Sequence, residues 1–339
     1  MRAAVIEQYG APLVVREVPT PKIGPGDVLV KVGACGVCYT DVKIWKGQGY
    51  NYTMPHVMGH EIAGSIAEIG SDVKDIQKGD RVAVYLYNTC GKCAYCHAGR
   101  DNECIDRVGF IGSNRWGGYA EYALVRADNV LKIPDNLSFE EAGLLPDAAL
   151  TPYHAIVDRA QVRINETALL VGIGGLALSG LQILKLCGAR VIALSRTQSK
   201  LDLAKQLGAD HIINSTKEDA LETVKKLTGG YGVDHIFDFV GSTETVTQDT
   251  KYIKRGGKIY LLGYQAGENL VPVTTIRGFF SLGGSNGGTR KDLRELIHLA
   301  SEGKIKSVVT KTYTLDEANT ALNLLAHGEV EGRLSLKVS

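Results

Sequence analysis

Hydrophobic and polar positions change their pattern near residue 148 of the chain. Before that point, short apolar runs such as DVLVKV, AGSIAEIG and DRVAVYLY are separated by glycine and proline, and no helical period is sustained for long. Such runs are typical of short strands. The pattern predicts an irregular, β-rich domain over residues 1–147.

From about residue 148, apolar strands alternate with helices. TALLVG, RVIALS, HIIN, VDHIFDFVG, KIYLLGY and FFSLGGS are predicted strands, and LALSGLQILKLCG, SKLDLAKQLG and ALETVKKLTG are predicted helices. This alternation predicts an α/β fold with a doubly wound parallel sheet over residues 148–284. A last helix and strand, from TRKDLRELIHLASEG to GRLSLKV, are more than one six-stranded sheet needs. We therefore expect residues 285–339 to return to the first domain.

Composition narrows the class of protein. The 339 residues are 44% hydrophobic, enough for a large core in two domains, and 38 basic against 37 acidic side chains leave no field that would attract nucleic acid or a membrane. The start, MRAAVIEQYG, has no apolar signal region, and the apolar stretch from Ala168 is interrupted by glycines, Gln182 and Lys185. We expect a cytoplasmic protein, in which disulfides rarely persist.

Four of the seven cysteines, Cys90, Cys93, Cys96 and Cys104, lie within fifteen residues. Short spacings let one turn present several thiolates to a single ion, so these residues can close a four-sulfur structural zinc site with no vacant position. An iron–sulfur cluster or disulfides are the alternatives. In ferredoxin runs a proline usually follows the last cysteine, whereas Ile105 follows Cys104.

A second candidate metal site combines Cys38, in GACGVCYTDVK, with His60, in MGHEIAGSIAEIGSDV. Brought together, the two would give a mixed sulfur–nitrogen pair suited to zinc with an open coordination position. Each alone is weak evidence, because a lone cysteine is more often a buried apolar residue and a lone histidine a satisfied surface group.

GHEIAGSIAEIGSDV fits G-H-E-x2-G-x5-G-x2-V at every fixed position. With CYTD and the four-cysteine segment, the sequence resembles the zinc-containing medium-chain alcohol dehydrogenases over essentially its whole length. The resemblance implies a GroES-like catalytic domain and a Rossmann domain. It also implies reversible hydride transfer between NAD(P) and an alcohol/aldehyde or secondary alcohol/ketone pair, in a homotetramer or alternatively a homodimer.

The resemblance implies that Cys38, His60 and one later residue hold a catalytic zinc, with Asp41 orienting His60 and Glu61 near the metal. The third ligand of the family is usually a cysteine, and Asp147 of LLPDAALTPYHAI stands at that place. A carboxylate oxygen is a legitimate zinc ligand. The alternative for Asp147 is a helix cap.

Thr40 matches the family's hydroxyl that passes the substrate proton to the coenzyme ribose. The histidine that usually completes this relay is Lys43 here. An amine with a pKa of about 10 is poorly matched to transferring protons at pH 7. Either the pKa of Lys43 is lowered or the ribose hydroxyl passes the proton directly to water, and we expect a solvated lysine.

LLVGIGGLALSG places Gly172, Gly174 and Ala177 in a G-x-G-x-x-A pattern between a strand and a helix. Backbone N–H groups at that helix start, near Gly175 and Leu176, favour a pyrophosphate, and the glycines let the phosphates come close. A role in packing alone is the alternative. The context of strands and helices favours a dinucleotide.

The next strand, RVIALSR, ends in Ser195 and Arg196 at the place where an NAD enzyme has a carboxylate for the adenosine ribose. A hydroxyl and a guanidinium can bind a 2′-phosphate, so the sequence favours NADP over NAD. Alternatively, Arg196 stacks on adenine and NAD is accepted equally. Lys200 is similar to a family lysine near this ribose, or else it is a solvated helix residue.

The resemblance also places Thr151, Val240 and Gly263 beside the nicotinamide ring and Arg333 at the pyrophosphate. The alternatives are turn glycines at strand ends and a surface cation. Two other functions stay open: a polyol or sugar dehydrogenase of the same family, and a non-catalytic zinc- and dinucleotide-binding redox sensor. The apolar Leu86 at the expected substrate wall weighs slightly against sugars.

Overall fold

The computed structural model of the chain describes residues 1–48, 52–107, 109–264 and 279–339. The chain divides into two compact units. The first contains Met1–Ala148 and Thr289–Ser339, and the second contains Ala149–Gly288. None of the helices in the described ranges has the length and apolar character needed to cross a membrane.

The first unit begins with strands and short helices. They are β1 (Arg2–Ile6), β2 (Val14–Glu17), β3 (Asp27–Val37), α1 (Tyr39–Trp45), β4 (His56–Val57), β5 (Glu61–Ile69), β6 (Arg81–Val84), α2 (Ala94–His97), β7 (Tyr122–Arg126), β8 (Val130–Lys132) and α3 (Phe139–Leu144). A π-helical turn, Leu145–Ala149, follows α3.

The second unit alternates strands and helices. They are α4 (Leu150–Tyr153), β9 (Thr167–Val171), α5 (Gly175–Leu186), β10 (Arg190–Ser195), α6 (Gln198–Gln206), β11 (His211–Asn214), α7 (Ala220–Leu227), β12 (Val233–Asp238), α8 (Thr243–Tyr252), β13 (Ile253–Leu261) and β14 (Ser281–Gly284). The strands form one parallel sheet in the order β11-β10-β9-β12-β13-β14. Numbered within the unit, this is 3-2-1-4-5-6, the doubly wound order of dinucleotide-binding domains.

The C-terminal segment completes the first unit. It contains α9 (Arg290–Ser301), β15 (Val309–Thr314), α10 (Ala318–Ala326) and β16 (Arg333–Lys337). β16 pairs with β3 in a seven-stranded sheet of order β15-β16-β3-β5-β6-β8, and β7 joins β3 off this path. A second sheet has the order β2-β1-β4. These mixed sheets and the parallel sheet confirm the predicted fold class.

Helix α3 lies against strands β3 and β5 and is followed directly by the π-helical turn. Ser138 and Glu141 form a capping box at the start of α3, with the N–H of Glu141 donating to Ser138 Oγ at 3.2 Å. The Phe139 ring occupies the space over Gly33 of β3, where a Cβ would lie 2.2 Å from Phe139 Cδ2. The helix therefore points its last turn, and Asp147 after it, toward the ends of β3 and β5.

Candidate active site

Two neighbouring strands of the first unit bring Cys38 and His60 together. β3 and β5 are antiparallel, with Gly36 opposite Glu61, so the end of β3 lies beside the start of β5. Cys38 follows β3 directly and His60 precedes β5 directly. Both side chains are buried.

Asp147 completes this cluster from the π-helical turn. Its Oδ2 lies 3.4 Å from Cys38 Sγ and 3.4 Å from His60 Nε2. A tetrahedral zinc with ordinary bond lengths separates a sulfur and an oxygen ligand by about 3.6 Å, and a nitrogen and an oxygen ligand by about 3.3 Å. Both distances from Asp147 Oδ2 therefore fit a shared zinc ion, and the donor atoms of the cluster all lie within 4.8 Å of one another. The carboxylate faces these donors from inside a helical turn, which disfavours the helix-cap alternative.

Protonation of these donors depends on the charge at the site. Burial, and then the Asp147 carboxylate, raise the pKa of Cys38. Burial lowers the pKa of His60, but the Asp41 carboxylate and hydrogen bonds to its neighbours outweigh burial and leave it well above its ordinary value. A divalent cation binds thiolate and neutral imidazole, so a cation held at this cluster would displace protons from Cys38 and His60.

Asp41 lies behind His60 and is fully buried. Its Oδ1 is 3.5 Å from His60 Nδ1, beyond the usual hydrogen-bond range, and neither atom has a hydrogen-bond partner within the described residues. Its Oδ2 accepts hydrogen bonds from the Cys38 N–H at 2.9 Å and from the Tyr119 hydroxyl at 3.0 Å. The structure thus places Asp41 where the resemblance implies an orienting carboxylate.

Glu61 and Arg333 form a buried ion pair beside the cluster. Glu61 Oε2 accepts from the Arg333 guanidinium, whereas Glu61 Oε1 has no hydrogen-bond partner within the described residues. Burial raises the pKa of Glu61 to about 7, although the Arg333 charge opposes this shift. Arg333 is therefore a buried partner of Glu61 and not a surface cation, and its contact with a pyrophosphate stays a prediction.

The two relay residues lie on α1. Thr40 is half-buried in its first turn. Lys43, which we expected to be solvated, is also half-buried, and burial lowers its pKa. The expectation of a solvated lysine is therefore wrong. Helix α1 packs its second turn into the unit, and this packing partly covers the side chain of Lys43. Leu86, after β6, is buried.

The four clustered cysteines surround one point. Sγ of Cys93 lies 3.6 Å from Sγ of Cys96 and 3.9 Å from Sγ of Cys104, which in turn lies 3.6 Å from Sγ of Cys90. Sulfur atoms around a tetrahedral zinc are about 3.8 Å apart, and a disulfide needs about 2.05 Å. All four thiols are free. The spacing therefore fits a four-sulfur zinc site and excludes the disulfide alternative in this structure.

In the second unit, the glycine-rich turn between β9 and α5 leaves room for a ligand. Gly172 has φ +82°, and a Cβ there would lie 2.4 Å from Val240 Cγ2. Gly174 directly precedes α5 and has open space beside it, since a Cβ there would meet no atom within 4 Å, and no side chain caps the helix. The N–H groups of Gly175 and Leu176 have no partner inside the helix, so this turn fits a pyrophosphate.

The other predicted coenzyme residues of this unit follow the same sheet edge. Ser195, Val240 and Gly263 come at or after the carboxyl ends of β10, β12 and β13, and Gly172 follows β9 between them. Ligands of doubly wound sheets bind at this edge. Ser195 and Lys200 are half-buried, Arg196 is exposed, and Thr151 is buried in α4.

Two family descriptions match most of the chain. Residues 24–135 match "Alcohol dehydrogenase GroES-like domain", and residues 172–302 match "Zinc-binding dehydrogenase". The chain belongs to the zinc-containing medium-chain alcohol dehydrogenases. Zinc-dependent hydride transfer between a nicotinamide dinucleotide and an alcohol–carbonyl pair, the function predicted from the sequence, is confirmed at the level of this family.

The names of individual relatives differ in the coenzyme that they mention. An alcohol dehydrogenase of Geobacillus stearothermophilus is 40% identical over 342 residues, covering 100% of both chains. A D-arabinose 1-dehydrogenase (NADP(+)) of Saccharolobus solfataricus is 35% identical and covers 98% of this chain and 96% of its own. The crystal structure of an NAD-dependent alcohol dehydrogenase has a TM-score of 0.95 at 34% identity, covering 100% of both chains.

Sequence reasoning missed two side chains that support the predicted metal sites. Tyr119 contacts Asp41 from 78 residues away, and Arg290 contacts Asp101, beside the cysteine cluster, from 189 residues away. Nothing in GGYAEYALV or GGTRKDL singles out either residue. Only their distance in space from the metal-site residues identifies them.

Proposed function

We propose that this chain is an alcohol dehydrogenase whose catalytic zinc is held by Cys38, His60 and Asp147. The observation that carries this proposal is the position of Asp147 Oδ2, 3.4 Å from both Cys38 Sγ and His60 Nε2. Three protein ligands leave a fourth position of a tetrahedral ion for substrate oxygen. A zinc ion held by these residues would act as a Lewis acid and lower the pKa of the substrate hydroxyl.

The chain's own residues then handle the proton and the orientation of the ligands. Asp41 holds the imidazole of His60 so that Nε2 faces the ion. Thr40 takes the proton of the substrate hydroxyl as it gives its own hydroxyl proton to the coenzyme ribose, and the ribose passes a proton on to water or to the amine of the half-buried Lys43, whose pKa burial lowers. Glu61, paired with Arg333, keeps a carboxylate oxygen beside the donor cluster.

The cysteine cluster serves stability in this proposal. Four sulfur ligands leave no open position, so Cys90, Cys93, Cys96 and Cys104 hold a structural zinc. We assign the catalytic role to the first unit and dinucleotide binding to the second. Gly172, Gly174, Gly175 and Leu176 receive the pyrophosphate, Thr151, Val240 and Gly263 the nicotinamide end, and Arg333 is proposed to assist at the pyrophosphate.

We propose NADP as the preferred coenzyme. Ser195 ends β10, and the exposed Arg196 follows it, so a hydroxyl and a guanidinium stand at the sheet edge where an NAD enzyme has a carboxylate. Lys200 adds a third polar group from α6. The NADP(+) in the name of the arabinose dehydrogenase relative supports this choice, whereas the name of the structural neighbour supports NAD.

The substrate is proposed to be an apolar alcohol or its carbonyl partner, because Leu86 presents an apolar side chain at the expected substrate wall. The homotetramer, the alternative homodimer and the cytoplasmic location stay proposals based on the resemblance and the composition.

Zinc content tests the ligand assignment. We expect two zinc ions per purified chain, and one in Asp147→Ala, with kcat reduced at least about 100-fold because a ligand is lost. Asp135→Ala, an exposed carboxylate of the same unit, is the matched control and should keep both ions and full activity. Full activity and two zinc ions in Asp147→Ala would reject the assignment.

A substrate panel separates the dehydrogenase classes. It compares kcat/KM for primary alcohols, secondary alcohols and polyols with each coenzyme. No turnover with any substrate would favour the non-catalytic redox sensor.

A further inference from the structure

Tyr119 contacts Asp41, the carboxylate beside His60, and is not itself one of the three proposed ligands. Its side chain is fully buried. Its backbone is held on both sides: the Tyr119 N–H donates to Met58 O at 3.0 Å, and the Ala4 N–H donates to Tyr119 O at 2.8 Å. The residue therefore has a fixed position next to the segment that carries His60.

The ring of Tyr119 occupies the space over Gly59. Gly59 has φ +96°, and a Cβ at this position would lie 2.5 Å from Tyr119 Cδ1. Both facts require glycine, because other residues rarely adopt this φ and any side chain would collide with the ring. The glycine of the G-H-E sequence is thus explained by Tyr119, and the ring fixes the backbone directly before His60.

The hydroxyl of Tyr119 contacts the Asp41 carboxylate, which lies beside the imidazole of His60. It donates to Asp41 Oδ2 at 3.0 Å, and the Cys38 N–H donates to the same oxygen at 2.9 Å. Two donors hold Oδ2, and with Oδ2 in this position Oδ1 lies 3.5 Å from His60 Nδ1. Burial, and then the Asp41 charge, raise the pKa of Tyr119 well above its ordinary value, so the hydroxyl stays a donor.

We propose that Tyr119 is a positioning residue of the catalytic metal site, which holds the Asp41 carboxylate against His60 with its hydroxyl and the Gly59–His60 backbone with its ring. The inference rests on the proposed zinc site. A carboxylate that orients a metal-bound histidine affects metal affinity by about 10- to 100-fold. Loss of the hydroxyl leaves Oδ2 with one donor and lets the carboxylate turn, so His60 loses part of this orientation.

The test is the rate at which a chromogenic chelator removes zinc from the purified holoprotein. The phase of release that is absent in Cys38→Ser reports the proposed catalytic site. In Tyr119→Phe we expect this phase to be about tenfold faster, and the phase from the cysteine cluster to be unchanged. Tyr313→Phe is the matched control, because Tyr313 is also buried in the first unit and its hydroxyl has no hydrogen-bond partner within the described ranges.

A double-mutant cycle separates positioning from general packing. If Tyr119 acts through Asp41, the effect of Tyr119→Phe disappears in the Asp41→Asn background. An equal acceleration in both backgrounds, or a rate in Tyr119→Phe equal to that of Tyr313→Phe, would overturn the inference. A wild-type chain that binds one zinc and lacks the Cys38-dependent phase would instead overturn the proposed function itself.

Discussion

At the scale of single residues, the role that we assign to a side chain depends on the atoms that it faces. Asp147 and Asp41 are both carboxylates of one cluster, yet Asp147 faces a thiol and an imidazole nitrogen, whereas Asp41 faces the opposite imidazole nitrogen and two hydrogen-bond donors. The sequence pattern predicted these residues because their spacing matches a family motif. It could not predict Tyr119, because a tyrosine in an apolar run is typical of any core.

The proposed preference for NADP depends at this scale on Arg196. In Arg196→Ala we expect kcat/KM with NADP+ to fall about 10- to 100-fold, since a charge-assisted hydrogen bond contributes about 1.5–3 kcal/mol, and kcat/KM with NAD+ to change less than twofold. Arg163→Ala is the matched control, because Arg163 is exposed and precedes the opposite end of the sheet, before β9. Equal losses with both coenzymes would contradict a role at the 2′-phosphate.

At the scale of elements, the periodicity of hydrophobic positions and the spacing of the strands and helices predicted most of the fold. The alternation after residue 148 predicted the parallel sheet, because strands buried on both faces are continuously apolar, as in Ala168–Val171. The π-helical turn that aims Asp147 was not predictable, since it depends on how α3 packs against β3 and β5. The half-buried state of Lys43 depends on packing in the same way.

Helix α8 packs a titratable group into the second unit. Asp249 is fully buried, and Asp238, at the end of β12, is buried as well. Asp238 Oδ1 accepts from the N–H of Val240 at 2.7 Å and of Gly241 at 3.0 Å, so it shapes the predicted nicotinamide loop. Burial of Asp249, and then the Asp238 charge, raise the pKa of Asp249 to about 9.

This pKa makes the stability of the chain depend on pH. An aspartate has a pKa of about 4 in an unfolded chain. Between about pH 4 and pH 9, the folded chain therefore holds a proton on Asp249 that the unfolded chain has lost. The free energy of unfolding therefore falls as pH rises toward 9. In Asp249→Asn we expect this slope to disappear, with a gain over wild type that grows by up to about 4 kcal/mol between pH 5 and pH 8.

Urea unfolding at several pH values, followed by circular dichroism, measures this gain. The matched control is Asp202→Asn, an exposed carboxylate on α6 of the same unit, which should keep the wild-type slope. A difference between Asp249→Asn and wild type that is the same at pH 5 and pH 8 would show that Asp249 is not protonated in the folded chain.

At the scale of the whole molecule, each unit has its own hydrophobic core. One core contains residues from β1 to β8 and from β15 to β16, and the other contains residues of β9 to β13. The cysteine segment belongs to the first unit but contributes little to its core, since Cys90, Cys93 and Cys96 are only partly buried. We therefore expect its stability to depend on the proposed structural zinc and on polar contacts.

Arg290, at the start of α9, supplies these polar contacts. Its guanidinium donates to Asp101 Oδ2 at 2.8 Å, to Asn129 Oδ1 at 2.7 Å and to Thr89 Oγ1 at 3.0 Å, and it lies 4.7 Å from the centre of the Tyr85 ring. These contacts join the two ends of the cysteine segment to the sheet. None of these contacts of Arg290 is made with the four cysteine sulfurs.

Removal of zinc should therefore loosen one region and spare the rest. We expect amide hydrogens of residues 89–107 to exchange at least about tenfold faster after chelation, because metal binding at such sites is coupled to local folding, whereas those of β9, β10 and β12 keep their rates. Hydrogen exchange followed by mass spectrometry measures this, and Cys93→Ser without chelator should reproduce the pattern while Cys187→Ser should not. Unchanged exchange in residues 89–107 would mean that Arg290 and its partners hold the segment without metal, and the structural role of the four-cysteine site would be rejected.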